Sequence, residues 1–223
     1  GERYRQALEI KPDTHDAANN WGSALADEAN ALAPTGLPAA RGLWQTAGER
    51  YRQALEIKPD KHEAAYNWGI ALDDEANALA PTDLSAARGL WQAAGERYRQ
   101  ALEIKPDKHD AANNWGIALI HEYHALLQTA PEAAKTLLDQ ALLRCQQAEA
   151  IKPGAGAYNL ACTAGLKQDV QGCIEWLEIA SRHGKLPSAE HLREDPDLAW
   201  AREQTEFRAW WIATFGEDGA GAP

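Results

Sequence analysis

One thirteen-residue sequence, GERYRQALEIKPD, occurs three times in the chain, at residues 1–13, 48–60 and 95–107. The interval is 47 residues each time, and residues 1–47 match residues 48–94 at 39 of 47 positions. A fixed period of this size is typical of stacked repeats, in which each unit covers the apolar face of its neighbour. The repeat therefore predicts a stack of similar units.

Helical periodicity fills each unit. In residues 62–80 the apolar and small positions, three or four residues apart, are Ala65, Trp68, Leu72, Ala76 and Leu79. Pro81 ends this helix, and a second apolar stripe runs over 84–104 until Pro106 ends it in turn. The pattern predicts two antiparallel helices of roughly twenty residues in each unit.

The sequence AAYNWGIAL followed by YRQALEIKPD resembles the tetratricopeptide repeat. Small residues stand where that family requires close helix contact, namely Gly22, Gly69, Gly116, Ala7, Ala47, Ala54, Ala94, Ala101, Ala141 and Ala148. The prolines that close the units are Pro12, Pro59, Pro106 and Pro153. The resemblance implies an all-α fold, a right-handed α-solenoid of antiparallel helix pairs.

The unit is longer than the family's usual repeat of about 34 residues, and the extra residues fall at the hairpin tip. We predict elongated units over 1–153, with breaks near residues 13, 60 and 107 and a truncated first unit. One short unit follows over 154–184. A helical cap over 185–216, closed by Phe207, Trp210, Trp211 and Phe215, precedes a loose tail over 217–223.

The net charge of −11 argues against a nucleic-acid partner and against an anionic membrane surface, since both require clustered lysine and arginine. No apolar run approaches the roughly 18 residues needed to cross a bilayer. The cysteines Cys145, Cys162 and Cys173 form no C-x-x-C pair. They indicate reduced, buried residues and predict a cytoplasmic location.

No catalytic or cofactor motif is evident. The HEYH sequence at 121–124 is not H-E-x-x-H, and its two histidines have no evident third ligand. GAGAYN at 154–159 lacks the preceding strand of a dinucleotide site, and no serine stands in G-x-S-x-G. We therefore predict no enzyme activity, no cofactor and no metal site.

Eight positions distinguish the first two copies, and four of them, 63, 66, 70 and 73 in the second copy, form one helical stripe. In the tetratricopeptide family this face of the first helix lines a concave groove that holds a peptide. Drift at exposed positions is the alternative, although exposed residues elsewhere are unchanged. The predicted groove residues on this face are Asn19, Ser23, Glu63, Tyr66, Ile70, Asp73, Asp74, Asp110, Asn113, Ile117 and His121.

An asparagine recurs beside this stripe in four successive units, at Asn20, Asn67, Asn114 and Asn159. Asparagine is a mediocre helix residue, so its recurrence needs a reason. The resemblance implies a ladder that hydrogen-bonds the main chain of an extended peptide. Hydrogen bonding between adjacent repeats is the alternative, and the two roles are compatible.

The predicted groove residues include no lysine or arginine. The carboxylate clamp of chaperone-binding family members therefore does not fit, and a basic or apolar segment does. We predict a non-catalytic protein–protein interaction module, in a sensor or adaptor region of a larger bacterial protein. The alternatives are a structural scaffold that self-associates and an engineered repeat array without a groove ligand.

Overall fold

The computed structural model describes residues 14–216, and this part of the chain contains ten α-helices, one 3-10 helix and no β-strand. The predicted all-α fold is confirmed. Ala7, Pro12 and the predicted tail lie outside the described residues, as does the start of the predicted first unit.

The helices follow one another as a series of hairpins. They are α1 His15–Ile57, α2 His62–Leu79, α3 Leu84–Ile104, α4 His109–Leu126, α5 Pro131–Ile151, α6 Ala157–Leu166, α7 Val170–Arg182, α8 Ala189–Glu194, α9 Ala199–Arg202 and α10 Thr205–Phe215. The 3-10 helix, Pro196–Leu198, lies between α8 and α9. Helix α2 packs on α3, α4 on α5 and α6 on α7, while α2 contacts α4 and α4 contacts α6. The first helices of successive hairpins therefore lie side by side.

The first two hairpin tips differ in sequence at two positions, Gly36 against Asp83 and Pro38 against Ser85. Asp83 caps α3, since its side chain accepts the Ala86 N–H at 3.0 Å. The equivalent residue of the preceding copy is Gly36, which has no side chain to cap a helix. There the tip is a sharp kink within α1 at Gly36, with φ −152° and ψ 56°, and the segments before and after the kink are the two helices of the first hairpin.

The small residues predicted from the sequence do allow close helix contact. A Cβ at Gly69 would lie 2.7 Å from the Tyr98 ring, and one at Gly116 would lie 2.5 Å from the Sγ of Cys145. The predicted alanines of the second helices are fully buried, namely Ala47, Ala54, Ala94, Ala101, Ala141 and Ala148. Larger side chains at these positions would separate the two helices of a hairpin.

Ion pairs on the opposite side of the first helices join successive units. The Nε of Arg41 lies 3.6 Å from Glu75, and the same contact one period later joins Arg88 to Glu122 at 3.3 Å. Burial raises the pKa of Glu75 and of Glu122, and the arginine beside each opposes the shift. A buried carboxylate needs such a partner, so the pairs favour one register of stacking.

The C-terminal helices form a separate apolar cluster against α6 and α7. Phe207 and Trp211 are fully buried there with Leu177, Leu192 and Leu198. This packing covers the last hairpin, which is what an array needs at its end. The division of the chain into a short unit over 154–184 and a cap over 185–216 stays a prediction.

Candidate functional site

The fifteen predicted groove residues all lie on the first helices α1, α2, α4 and α6. Asn20 is exposed, whereas Asn19 and Asp73 are only 6% and 8% exposed. The half-buried members are Ser23, Glu63, Tyr66, Asn67, Ile70, Asp74, Asp110, Asn113, Asn114, Ile117, His121 and Asn159. Thirteen of the fifteen predicted groove residues are therefore at least partly accessible, and Asn19 and Asp73 are buried.

The recurrent asparagines bond between neighbouring units. The pairs, with the donor first, are Asn67 Nδ2 to Asn19 Oδ1 at 3.2 Å, Asn114 Nδ2 to Tyr66 Oη at 3.0 Å and Asn159 Nδ2 to Asn113 Oδ1 at 2.8 Å. The partners are 46–48 residues apart, which is close to one period. The alternative of inter-repeat bonding is thus observed. Asn67 Nδ2 also lies 3.5 Å from Ser23 Oγ, whereas the bonds of Asn114 and Asn159 use one N–H each, so a role of these two amides toward a ligand remains compatible.

A buried carboxylate, Asp73, joins α2 to α4. Its Oδ1 accepts the Nε1–H of Trp91 at 3.1 Å and lies 3.1 Å from Nδ1 of His121. Asn77 completes the cluster, because its Oδ1 accepts from Trp91 and its Nδ2 lies 3.0 Å from the same His121 nitrogen. Burial opposes the charged imidazole, yet the hydrogen bond and charge of Asp73 outweigh it and raise the pKa of His121.

This cluster predicts a pH-dependent stability. An unfolded histidine has a pKa of about 6.5, and the folded pKa of His121 is raised by Asp73, with Asp74 and Asp197 also contributing. Its contribution is therefore present below about pH 6.5 and lost as the pH rises through the folded pKa. We expect His121→Gln to lower the free energy of unfolding more at acidic than at alkaline pH. Urea unfolding at both pH values measures the loss of free energy of unfolding in this variant. Equal losses at the two pH values would contradict the prediction. The control is His183→Gln, at an exposed histidine.

Two lysines partly neutralise the acidic groove residues, although neither lysine was among the predicted groove residues. Lys61 Nζ lies 2.8 Å from Asp16 and 3.4 Å from Glu63. Lys108 pairs with Asp110 and lies 4.6 Å from the ring centre of Tyr66. Each lysine lies directly before the start of a first helix. The predicted groove residues were chosen by helical spacing, and they therefore did not include these lysines. The change from Thr14 to Lys61 between the copies was the available signal.

An arginine side chain stacks on the indole ring of each tryptophan of the first three hairpins' first helices. The guanidinium carbon lies over the indole at 4.5 Å for Arg50 on Trp21, 4.5 Å for Arg97 on Trp68 and 3.7 Å for Arg144 on Trp115. Cation–π contacts of this kind contribute to stability. Packing within the hairpins is thus a reason for these arginines to be the same in every copy.

One group of metal-ligating side chains was not predicted. The ligand atoms of Cys162, Asp195 and Asp197 all lie within 4.8 Å of one another, and His124 Nε2 lies 2.5 Å from Asp197. Burial, and then the charge of Asp195, raises the pKa of Cys162. Structural roles account for both carboxylates, because Asp195 caps the 3-10 helix and accepts the Tyr158 hydroxyl, and Asp197 bonds His124. The predicted absence of a metal site stays a prediction.

Residues 82–170, fewer than half of the chain, match a family model described as plant specific mitochondrial import receptor subunit TOM20, whose domain is tetratricopeptide-like. The match begins at the first hairpin tip after α2 and ends at the start of α7. The same helix pairs carry the small residues that allow close contact. The hairpins within residues 82–170 are thus similar to tetratricopeptide repeats. No curated protein sequence matches this chain.

Solved structures similar to this chain include YrrB, described as a TPR protein with an unusual peptide-binding site. It is 19% identical, with 80% of this chain and 91% of that chain covered and a TM-score of 0.31. PilW, described as a widely conserved type IV pilus biogenesis factor, is 17% identical over 86% of this chain and 94% of that chain, with a TM-score of 0.27. In the described part of the chain, no helix combines the length and apolar character needed to cross a membrane.

Proposed function

We propose that the chain is a non-catalytic protein-interaction module that binds an extended protein segment along α1, α2, α4 and α6. The observation that carries this proposal is the continuous row of half-buried side chains on four adjacent first helices. Amide and hydroxyl groups in that row can donate to and accept from a peptide main chain. The similarity of residues 82–170 to a family described as an import receptor subunit supports a protein partner.

The chemistry of this row favours a basic or apolar segment. Ile70 and Ile117 provide apolar contact area, and the row's acidic residues are Glu63, Asp73, Asp74 and Asp110. The lysines at 61 and 108 neutralise the end at which the first helices begin, and Asp73 is buried against Trp91 and His121, which leaves Asp74 to the ligand. The net charge of −11 would attract such a segment at long range.

The proposal includes a cytoplasmic location, with the chain acting as a sensor or adaptor region of a larger bacterial protein. Cys145, Cys162 and Cys173 support a reducing compartment, since all three are free and buried.

Selection of random peptides on the purified chain tests the binding function. We expect peptides to be selected, and we expect the variant Ile70→Ser with Ile117→Ser to bind them about tenfold more weakly, because two apolar contacts are lost. The first copy already has Ser23 at this position, so serine is compatible with the fold. The matched control is Leu143→Ser, at a leucine on α5 that is 61% exposed.

Two results would contradict the proposal: no peptide is selected, or the selected peptides bind the double variant as tightly as the unchanged chain. Light scattering after size-exclusion chromatography examines the scaffold alternative. An oligomer that forms equally well in the double variant, without peptide binding, would favour the scaffold.

A further inference from the structure

A pocket of about 480 Å³ opens between the hairpin tips of the first two units. Its lining includes four small or apolar residues, one indole and one carboxylate, which are Ala33, Pro34, Ala78, Pro81, Trp44 and Asp74, and two asparagines complete it. We call it the tip pocket. It lies at the tip end of the proposed groove, because positions 27, 30 and 34 continue the three- and four-residue steps of Asn20 and Ser23 along α1.

The carboxylate of Asp74 has one oxygen in use. Its Oδ2 accepts from Asn30 Nδ2 at 2.7 Å, and Asn30 is itself oriented because its Oδ1 accepts from Trp44 Nε1 at 3.0 Å. Within residues 14–216, Asp74 forms no ion pair with a lysine or arginine. Burial, and after it the charges of Asp73 and Asp27, raises the pKa of Asp74. Among the described residues Asp74 thus has no lysine or arginine partner, and the only opposing charge that acts on its pKa is that of His121.

At the next junction, between the second and third units, the chain itself supplies a titratable base. One period after Asp74 the residue is His121, and one period after Asn30 it is Asn77. Asn77 approaches His121 at 3.0 Å, as Asn30 approaches Asp74, and His121 lies 3.1 Å from the carboxylate of Asp73. The junction between the second and third units thus contains a titratable base beside its acid, whereas the tip pocket contains only the acid.

We propose that the tip pocket takes a lysine or arginine side chain of the partner segment bound in the groove. The aliphatic stem lies between Pro34 and Pro81 over Trp44, and the cationic end meets the free oxygen of Asp74. Long cationic side chains bury their stems along apolar surface in this way. The inference rests on the proposed function and names the residue type that this end of the groove selects.

The test uses the peptides selected on the unchanged chain. We expect lysine or arginine to recur at one position in them, and Asp74→Asn to weaken binding of the tightest such peptide about tenfold. Asparagine keeps an oxygen that can accept from Asn30, so the variant is expected to fold. Asp60→Asn, at an exposed turn residue, removes the same charge elsewhere and should leave binding unchanged.

Replacing the recurring basic residue of the peptide with norleucine locates the contact. If the cation meets Asp74, this peptide binds the Asp74→Asn variant and the unchanged chain equally well, as a double-mutant cycle requires. Equal affinity of the original peptide for the unchanged chain and for Asp74→Asn would overturn the inference. If the Ile70→Ser and Ile117→Ser variant still loses binding, that result leaves the proposed function standing. Failure to select any peptide would overturn both.

Discussion

Replacing Gly156 with alanine is expected to destabilise the chain by about 3 kcal/mol, near the upper end of what overpacking costs. Gly156 lies where the turn after α5 passes closest to that helix. A Cβ there would lie 2.2 Å from the carbonyl oxygen of Cys145 and 3.1 Å from its carbonyl carbon. Both atoms belong to the backbone of α5, so they cannot rotate away as a flexible side chain can. The Gly156 N–H also donates to Glu149 at 3.1 Å, and a displaced turn would lose this bond.

The matched control is the same methyl addition at Gly89. This exposed glycine lies within α3, and a Cβ added to it would meet no other atom within 4 Å. Alanine is favoured over glycine in a helix interior by about 1 kcal/mol, so Gly89→Ala should stabilise slightly. Urea unfolding followed by circular dichroism measures both variants. A loss below about 1 kcal/mol at Gly156 would show that the turn can move away from α5.

Replacing Trp211 with alanine is expected to cost about 3 kcal/mol, the lower end for a large buried aromatic residue. Trp211 is fully buried among Phe207, Leu177 and Leu192, so its removal leaves a cavity between α10 and α7. The lower end applies because the indole N–H is buried without a hydrogen-bond partner, and alanine removes that unsatisfied donor.

Ile212→Ala is the control for this prediction, since Ile212 is the next residue and is 49% exposed. We expect its free energy of unfolding to stay close to that of the unchanged chain. Hydrogen exchange distinguishes local from global effects: in Trp211→Ala, the amides of α6 and α7 should lose protection before those of α2 and α3. Uniform loss of protection along the array would contradict a local role for this cluster.

Local sequence signals were sufficient for most of the fold. Pro81 and Pro106 each follow a helix end within two residues, and α2 and α3 extend over 62–79 and 84–104. The close contacts at Gly69 and Gly116 also followed from the sequence, because a residue without a Cβ on an apolar helix face indicates a packed neighbour. These features depend on residues a few positions apart in the sequence, or on a residue type that recurs at the same position of each unit.

The partners of the polar side chains could not be predicted in the same way. Whether Asn67 bonds a ligand or Asn19 depends on how far one hairpin shifts along the next, and periodicity alone does not give that shift. The burial of Asp73 beneath Trp91 and His121 has the same origin. The group around Cys162 and Asp195 joins segments 33 residues apart in an irregular region, where no repeated pattern exists to align them.

The spacing of the polar bonds has a consequence for the size of the array. Each links residues 44–48 positions apart, and the same letters recur 47 residues later. Removal of residues 48–94 would bring Asn114 into the place of Asn67 opposite Asn19, with an asparagine again available to bond an asparagine. Because contacts in such arrays are between nearest neighbours, whole blocks can be gained or lost without redesigning a junction. The array is thus expected to tolerate the loss or gain of one 47-residue period more readily than that of any shorter segment.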